Sequence, residues 1–384
     1  MQYYRPRAAV ALAGCCAFMD LYSPQALLPM LAREFDAGVT DVGLLISATS
    51  FAVALIAPFS GTVADVLGRK RVIATAMFVL VIPMALIGLS AGLHQMIAWR
   101  FVQGLLLPPI FAVTIAYVTE EFSGPEAVTV TGIFTSGSAV GGFLGRFLTG
   151  VLAQELGWRS AFVILAGLTL VCAAGVTILL PRERRFVRAE NLGRSGRQML
   201  RHLRNKRLLA TYGIGFSVLF SFIATFTYVN FRLAAPPFGL STAALGAIFV
   251  VYLVGAAVTP WLGHAFQRLG RRTVAFASVA LWACGLVLTL APSLPVIIVG
   301  LAFAAACGIT YQTMSTSFVA QTAAEGRSAA VGLYMTSFYL GGSVGGVLPG
   351  LTWSSAGWPG AVAMVLTILA FVAAMVALYW PAKT

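Results

Sequence analysis

The chain has 384 residues, 59% of them hydrophobic and only 10% charged, with a formal net charge of +13. So few charges cannot cover a water-soluble surface, and the mean hydropathy of +0.90 makes lipid the solvent for most of the chain. The excess of Lys and Arg lacks the aromatic interleaving of a nucleic-acid binder, which excludes that class.

Taken in chain order, Arg5 and Arg7 open an apolar run that continues to Pro29, too long for a secretory signal core. Charge-free gaps follow, each of about the 20 residues that cross a hydrocarbon core. Together with the apolar runs that Asp20, Arg100 and Arg146 interrupt, they predict spans at 8–30, 42–63, 72–91, 96–118, 128–152 and 160–180, then at 208–231, 242–262, 273–291, 296–320, 328–352 and 360–380. The fold class expected is an all-α polytopic membrane protein of twelve transmembrane helices. The cysteines Cys15, Cys16, Cys172, Cys284 and Cys307 all fall inside these helices, as free thiols with neither a disulfide nor a metal to hold.

With the N-terminus in the cytoplasm, twenty of the twenty-five Lys and Arg residues fall on the cytoplasmic side. Only Arg33, Arg159 and Arg232 fall outside, and Arg100 and Arg146 lie within spans. This asymmetry sets the orientation, with both termini cytoplasmic. Residues 182–207 form the one long polar stretch, a basic cytoplasmic linker between an N-terminal bundle, 1–181, and a C-terminal bundle, 208–384. Its cations also suit anionic lipid headgroups.

A repeat relates the halves. Gly61, Gly68, Arg69 and Lys70 recur as Gly263, Gly270, Arg271 and Arg272, with Gln267 in the place of Asp65. The string Gly-Ser-Ala-Val-Gly-Gly at 137–142 returns as Gly-Gly-Ser-Val-Gly-Gly at 341–346. Two matched features in one order argue for a duplicated six-helix unit, an arrangement that transporters use to bind cargo between halves.

On these residues the chain resembles the major facilitator superfamily. Gly61-xxx-Asp65-xx-Gly68-Arg69-Lys70-Arg71 is similar to its signature loop between helices two and three. Arg100-xx-Gln103-Gly104 resembles the fourth-helix motif of its proton-driven antiporters, and Asp20 with Pro29 resembles a first-helix motif of its drug exporters. Where antiporters carry Gly-Pro-xx-Gly-Gly late in helix five, this chain departs from the pattern with Gly145-Arg146 and Thr149-Gly150. The resemblance implies two pseudo-symmetric six-helix bundles, a bacterial inner-membrane location and a gate-stabilising role for Gly61, Asp65, Gly68, Arg69, Lys70 and Arg71. It also implies a cavity lined by helices one, four, seven and ten.

Charges inside a bilayer cost about 2.5–3.5 kcal/mol at a helix centre, so each needs a reason. Asp20 is the one carboxylate well inside a predicted span, and a group drawn between burial and a nearby arginine can change protonation between conformations. Asp20 is expected to carry a proton with Arg100 modulating it, the alternative being a fixed ion pair. Arg146 is expected either to attract an anionic group of the cargo or to cap backbone carbonyls or snorkel outward. Gln103, Arg146, Tyr228, Asn230, Tyr311 and Gln312 are the expected cargo contacts. The glycine ladders Gly137/Gly141/Gly145 and Gly342/Gly346/Gly350 have the spacing that lets helices approach closely.

The function expected is secondary transport by alternating access: proton-coupled efflux of a small organic molecule such as a drug, sugar or metabolite. Proton-coupled uptake or passive facilitation of a neutral or anionic metabolite is the alternative within transport, and a non-transporting membrane sensor the alternative outside it. No nucleotide-binding signature appears, so the proton gradient stands in for a cofactor, and neither an enzyme nor a metal site is expected. The partners expected are the small-molecule substrate, protons and membrane lipids, with the protein a monomer.

Overall fold

The computed structural model describes residues 4–183, 201–255, 257, 268–323 and 326–381. Most of the basic linker, the second copy of the signature glycine at Gly263 and Gln267 lie outside the described residues. Every described element is a helix, as a chain in lipid requires, because backbone N–H and C=O groups find no water there.

The helices are α1 (Tyr4–Tyr22), α2 (Leu28–Glu34), α3 (Val39–Leu67), α4 (Arg69–Gly88), α5 (Leu93–Glu121), α6 (Gly124–Leu156) and α7 (Trp158–Leu179), followed by α8 (Lys206–Ala234), α9 (Thr242–Ile248), α10 (Arg271–Leu288), α11 (Leu294–Thr322), α12 (Arg327–Leu351) and α13 (Trp353–Tyr379). Ten of them are long and apolar enough to cross a bilayer: α3 to α8 and α10 to α13.

The first and eighth expected spans are broken rather than continuous. Pro24 disfavours helical geometry in the residue before it, so α1 stops at Tyr22. A 3-10 turn at Gln25–Leu27 follows, and Pro29 sits in the first turn of α2, where its missing N–H costs nothing. In the eighth span, Phe249 N–H bonds back to the Gly246 carbonyl at 3.3 Å, a tightened last turn that ends α9. A further helical stretch continues to Gly255.

The chain divides into two compact units. One holds Met1–Ala37, Ala48–Leu192 and Ser241–Phe249; the other holds Gly38–Ser47, Gly193–Leu240 and Val250–Thr384. The first turns of α3 therefore pack with the second unit, and α9 packs with the first. Within each unit the helix pairing repeats: α1 lies on α6 and α8 on α12, α4 packs on α5 and α7, and α10 packs on α11 and α13. The joints repeat too. Gly68 (φ 90) and Gly270 (φ 77) open α4 and α10, while Gly157 (φ 84) and Gly357 (φ 52) stand before Trp158 and Trp358.

The glycine ladders set the close packing. A Cβ at Gly137, Gly141 or Gly145 would run into the Ala11, Cys15 and Met19 carbonyls of α1. The second ladder is different: Gly342 faces the Leu219 and Ile223 side chains of α8, and Gly346 and Gly350 face Ser47 and Thr40 from the start of α3. The close approach to the α8 backbone is made by the neighbouring Gly341 and Gly345, which meet the Phe216 and Phe220 carbonyls.

Candidate functional site

Asp20 lies near the end of α1, fully buried. Its carboxylate is met from α7, where Thr169 Oγ1 lies 3.0 Å from Oδ1 and 3.0 Å from Oδ2. The same hydroxyl lies 2.9 Å from the Leu165 carbonyl one turn earlier, the usual resort of a threonine in an apolar helix. One proton thus serves three acceptors. An ionised Asp20 takes that proton, while a protonated Asp20 can donate to Thr169 Oγ1 and leave the threonine to bond Leu165. The pair can keep its hydrogen bonds in either protonation state.

Arg100 approaches from α5, also fully buried. Its Nη1 donates to the Asp20 carbonyl at 2.9 Å, its Nη2 donates to the Leu21 carbonyl, and Nη1 also donates to Gln103 Oε1 on its own helix. Gln103 Nε2 in turn meets Met84 Sδ of α4 at 3.3 Å. Gly104 brings α5 against α3, where a Cβ would strike the Thr49 carbonyl. Asp20, Arg100 and Gln103 lie together, with Arg100 gripping the main chain around Asp20 rather than its carboxylate. Gln103 serves as a support for the guanidinium.

Arg146 is fully buried in α6. Its guanidinium carbon sits 4.2 Å from the Tyr22 ring centroid and 4.5 Å from that of Phe249. Nε donates to Gln25 Oε1 at 2.7 Å, and Nη1 donates to the Gly142 carbonyl. The charge is thus met inside the first unit by two rings, an amide and a carbonyl. Thr149, one turn on, bonds the Ser23 carbonyl at 2.6 Å.

Three of the expected cargo contacts in the second unit bond main-chain carbonyls. Tyr228 Oη donates to Gly346 at 2.9 Å, Asn230 Nδ2 to Phe226 at 2.7 Å, and Tyr311 Oη to Ala275 at 2.6 Å. Gln312 is half-buried on α11.

The signature loop holds an ion-pair cluster within the first unit. Arg69 Nη2 lies 2.5 Å from Asp65 and 2.6 Å from Glu120 Oε1, with Nε 3.1 Å from Glu120 Oε2. Gly61 falls within α3, its surroundings outside the described residues. Gly68 holds its positive φ beside Glu183, whose Oε2 accepts from the Lys70 N–H at 3.3 Å and caps the start of α4. Lys70 is half-buried and Arg71 exposed.

Thr169, Glu120, Glu183 and Gln25 were not singled out in the sequence. Threonine in an apolar helix is common, and the two glutamates end or follow helices, where acids usually face water. Among the described residues no three of His, Cys, Asp and Glu gather to hold a metal.

Comparison with known proteins identifies the family and the fold. The family model "Major Facilitator Superfamily" matches residues 10–235 and 219–384. The "Inner membrane transport protein YnfM" of Escherichia coli (strain K12) is 31% identical over 376 residues, covering 96% of this chain and 88% of that protein. The "Uncharacterized MFS-type transporter YybF" of Bacillus subtilis (strain 168) is 29% identical over 358 residues, covering 93% of this chain and 89% of that protein. Among solved structures, a mutant form of the nucleoside transporter NupG superposes with a TM-score of 0.83 at 16% identity, covering 98% of this chain and all of that one. A bacterial homologue of the human lysosomal transporter Spinster gives 0.77 at 15% identity, covering 98% of this chain and 96% of that one. Two pseudo-symmetric six-helix halves, the signature loop and a family match along nearly the whole chain carry one conclusion: this multi-pass membrane protein is a transporter of the major facilitator superfamily.

Proposed function

We propose that the protein exports a small, largely uncharged organic molecule across a bacterial inner membrane in exchange for protons, by alternating access. The observation that carries the proton step is the Asp20–Thr169 contact, which offers hydrogen bonds to the acid in both protonation states. Arg100, bonded to the main chain at Asp20 and Leu21, ties α5 to the same turn and so couples movement of α5 to the acid. A neutral cargo is supported by the second half of the sequence, where no charged residue occurs between Leu208 and Phe231, from Thr273 to Ala324, or from Ser328 to Ala382. Gln312, on the tenth span, is the cargo contact of choice in that half. The inner-membrane location is supported by the excess of Lys and Arg on one side and by the relative named as an inner-membrane transport protein.

The test is flux in proteoliposomes. A thermal-shift screen of neutral drugs, sugars and nucleosides supplies a cargo. With the interior acidic, that cargo should accumulate inside as internal protons leave, and reversing the pH gradient should reverse its direction. Accumulation with an alkaline interior instead would point to proton-coupled uptake.

A further inference from the structure

We propose that the second copy of the signature loop is a binding site for the phosphate of an anionic lipid, centred on Arg272 and supported by Arg271. In the first unit acids serve the cations of the loop. Asp65 and Glu120 pair with Arg69, and Glu183 accepts from the Lys70 N–H. The repeat keeps two of the cations and loses all three of those acids. Arg271 and Arg272 stand in the places of Arg69 and Lys70, and Gln267 stands in that of Asp65. Gln321, 50 residues after Arg271, takes the part that Glu120 plays 51 residues after Arg69. Glu183, two residues after Pro181, is matched by Lys383, two residues after Pro381. From Leu208 to Thr384 the one acid is Glu325.

The contacts of the two arginines show what this exchange leaves. Arg271 Nη2 donates to Gln321 Oε1 at 2.8 Å, and Arg272 Nη2 donates to the Ala377 carbonyl of α13 at 2.9 Å. An amide and a carbonyl orient a guanidinium without neutralising it. Among the described residues neither arginine is in an ion pair. A guanidinium has five N–H donors, and two of them in parallel suit a phosphate. The surroundings select a lipid over a free phosphate. The Arg272 guanidinium carbon lies 5.8 Å from the centroid of Phe276, one turn along α10, and that ring is 37% exposed. Leu378, next to the Ala377 that Arg272 bonds, is 71% exposed. Both α10 and α13 are long and apolar enough to span a bilayer, so these exposed side chains suit acyl chains. A charge at the head of an apolar strip between two packed helices fits a headgroup with its tail. Arg271 lies on the α11 side, 5.4 Å from the Phe318 centroid, and adds its charge to the same end of α10.

This inference goes beyond the transport reading and does not depend on Asp20 or on the identity of the cargo. The experiment is native mass spectrometry of the full-length protein in detergent micelles, titrated with phosphatidylglycerol or with phosphatidylcholine of the same acyl chains. Phosphatidylglycerol should bind saturably and more tightly than phosphatidylcholine. Arg272→Gln should weaken its tightest binding about fivefold, and the double change Arg271→Gln with Arg272→Gln at least about tenfold. Arg204→Gln removes an exposed charge before α8 and should leave that binding unchanged. Phe276→Ala keeps both charges and removes part of the apolar strip, so it should also weaken binding and decides the matter if the arginine variants fail to fold. Millimolar inorganic phosphate should not displace the lipid. Equal binding of the two lipids, an equal loss in Arg204→Gln, unchanged binding in Phe276→Ala, or displacement by inorganic phosphate would overturn the proposal.

Discussion

Thr169 Oγ1 lies equally close, at 3.0 Å, to both carboxylate oxygens of Asp20, and brings α7 to the one acid buried in α1. Removing the hydroxyl should be felt. Thr169→Val leaves a buried carboxyl without its side-chain donor and should cost about 1–3 kcal/mol, read as a lower midpoint of thermal unfolding in detergent. Thr169→Ser keeps the donor and should lie much closer to the unaltered protein. Equal stability of the Val and Ser variants would show that the contact contributes nothing.

The glycines of α6 give a second contrast. Gly141→Ala drives a methyl group into the Cys15 carbonyl, which belongs to a helix backbone and cannot swing aside. The cost should be about 1–3 kcal/mol through forced separation of α1 and α6. Gly132→Ala, on the same helix with nothing within 4 Å of the added carbon, should be neutral or stabilising by up to about 1 kcal/mol. Thermal unfolding of the two variants side by side gives the answer, and a reversed order would contradict the close packing of the first ladder.

At the signature loop, Gly68 faces two separable penalties. Its φ of 90° strains any residue with a Cβ, and that Cβ would also meet Glu183 Oε1. Gly68→Ala should therefore destabilise by about 1–2 kcal/mol. Adding Glu183→Ala should relieve the steric part while leaving the backbone part, so the double variant should be less destabilised than the two single changes sum to. Strict additivity would place Glu183 away from the loop.

Tyr228 was expected to touch cargo, and its hydroxyl bonds the Gly346 carbonyl at 2.9 Å and the Val347 carbonyl at 3.2 Å. If its role is to hold α8 on α12, Tyr228→Phe should lower stability by about 1 kcal/mol and leave cargo affinity unchanged, because the ring keeps its place against Trp353. Isothermal binding measurements on the first cargo identified would reveal a weakened affinity if the hydroxyl instead contacts the ligand.

Much of this arrangement is legible in the sequence because lipid imposes simple rules. Gaps between charges mark most of the long helices, and charges that interrupt apolar runs single out Asp20, Arg100 and Arg146. The i,i+3 spacing of Arg100 and Gln103 puts them on one face, where they do bond. What stays hidden depends on distant partners. Thr169 is 149 residues from Asp20 and could equally have bonded only its own helix. Phe249 reaches Arg146 from a segment of the second half that packs with the first unit, which no local pattern announces. The breaks at Tyr22 and Phe249 fall inside runs whose composition reads as continuous spans. Hydropathy reports what a segment is dissolved in, and the kinks come from proline and turn geometry within it.

The most direct test of the proton step is Asp20→Asn in proteoliposomes loaded with the cargo found by thermal shift. Asparagine keeps the shape and a hydrogen bond to Thr169 but cannot release a proton. Accumulation driven by a pH gradient should fall at least about tenfold, while exchange of labelled for unlabelled cargo without a gradient continues. Gradient-driven accumulation equal to that of the unaltered protein would contradict the assignment of Asp20 as the proton carrier.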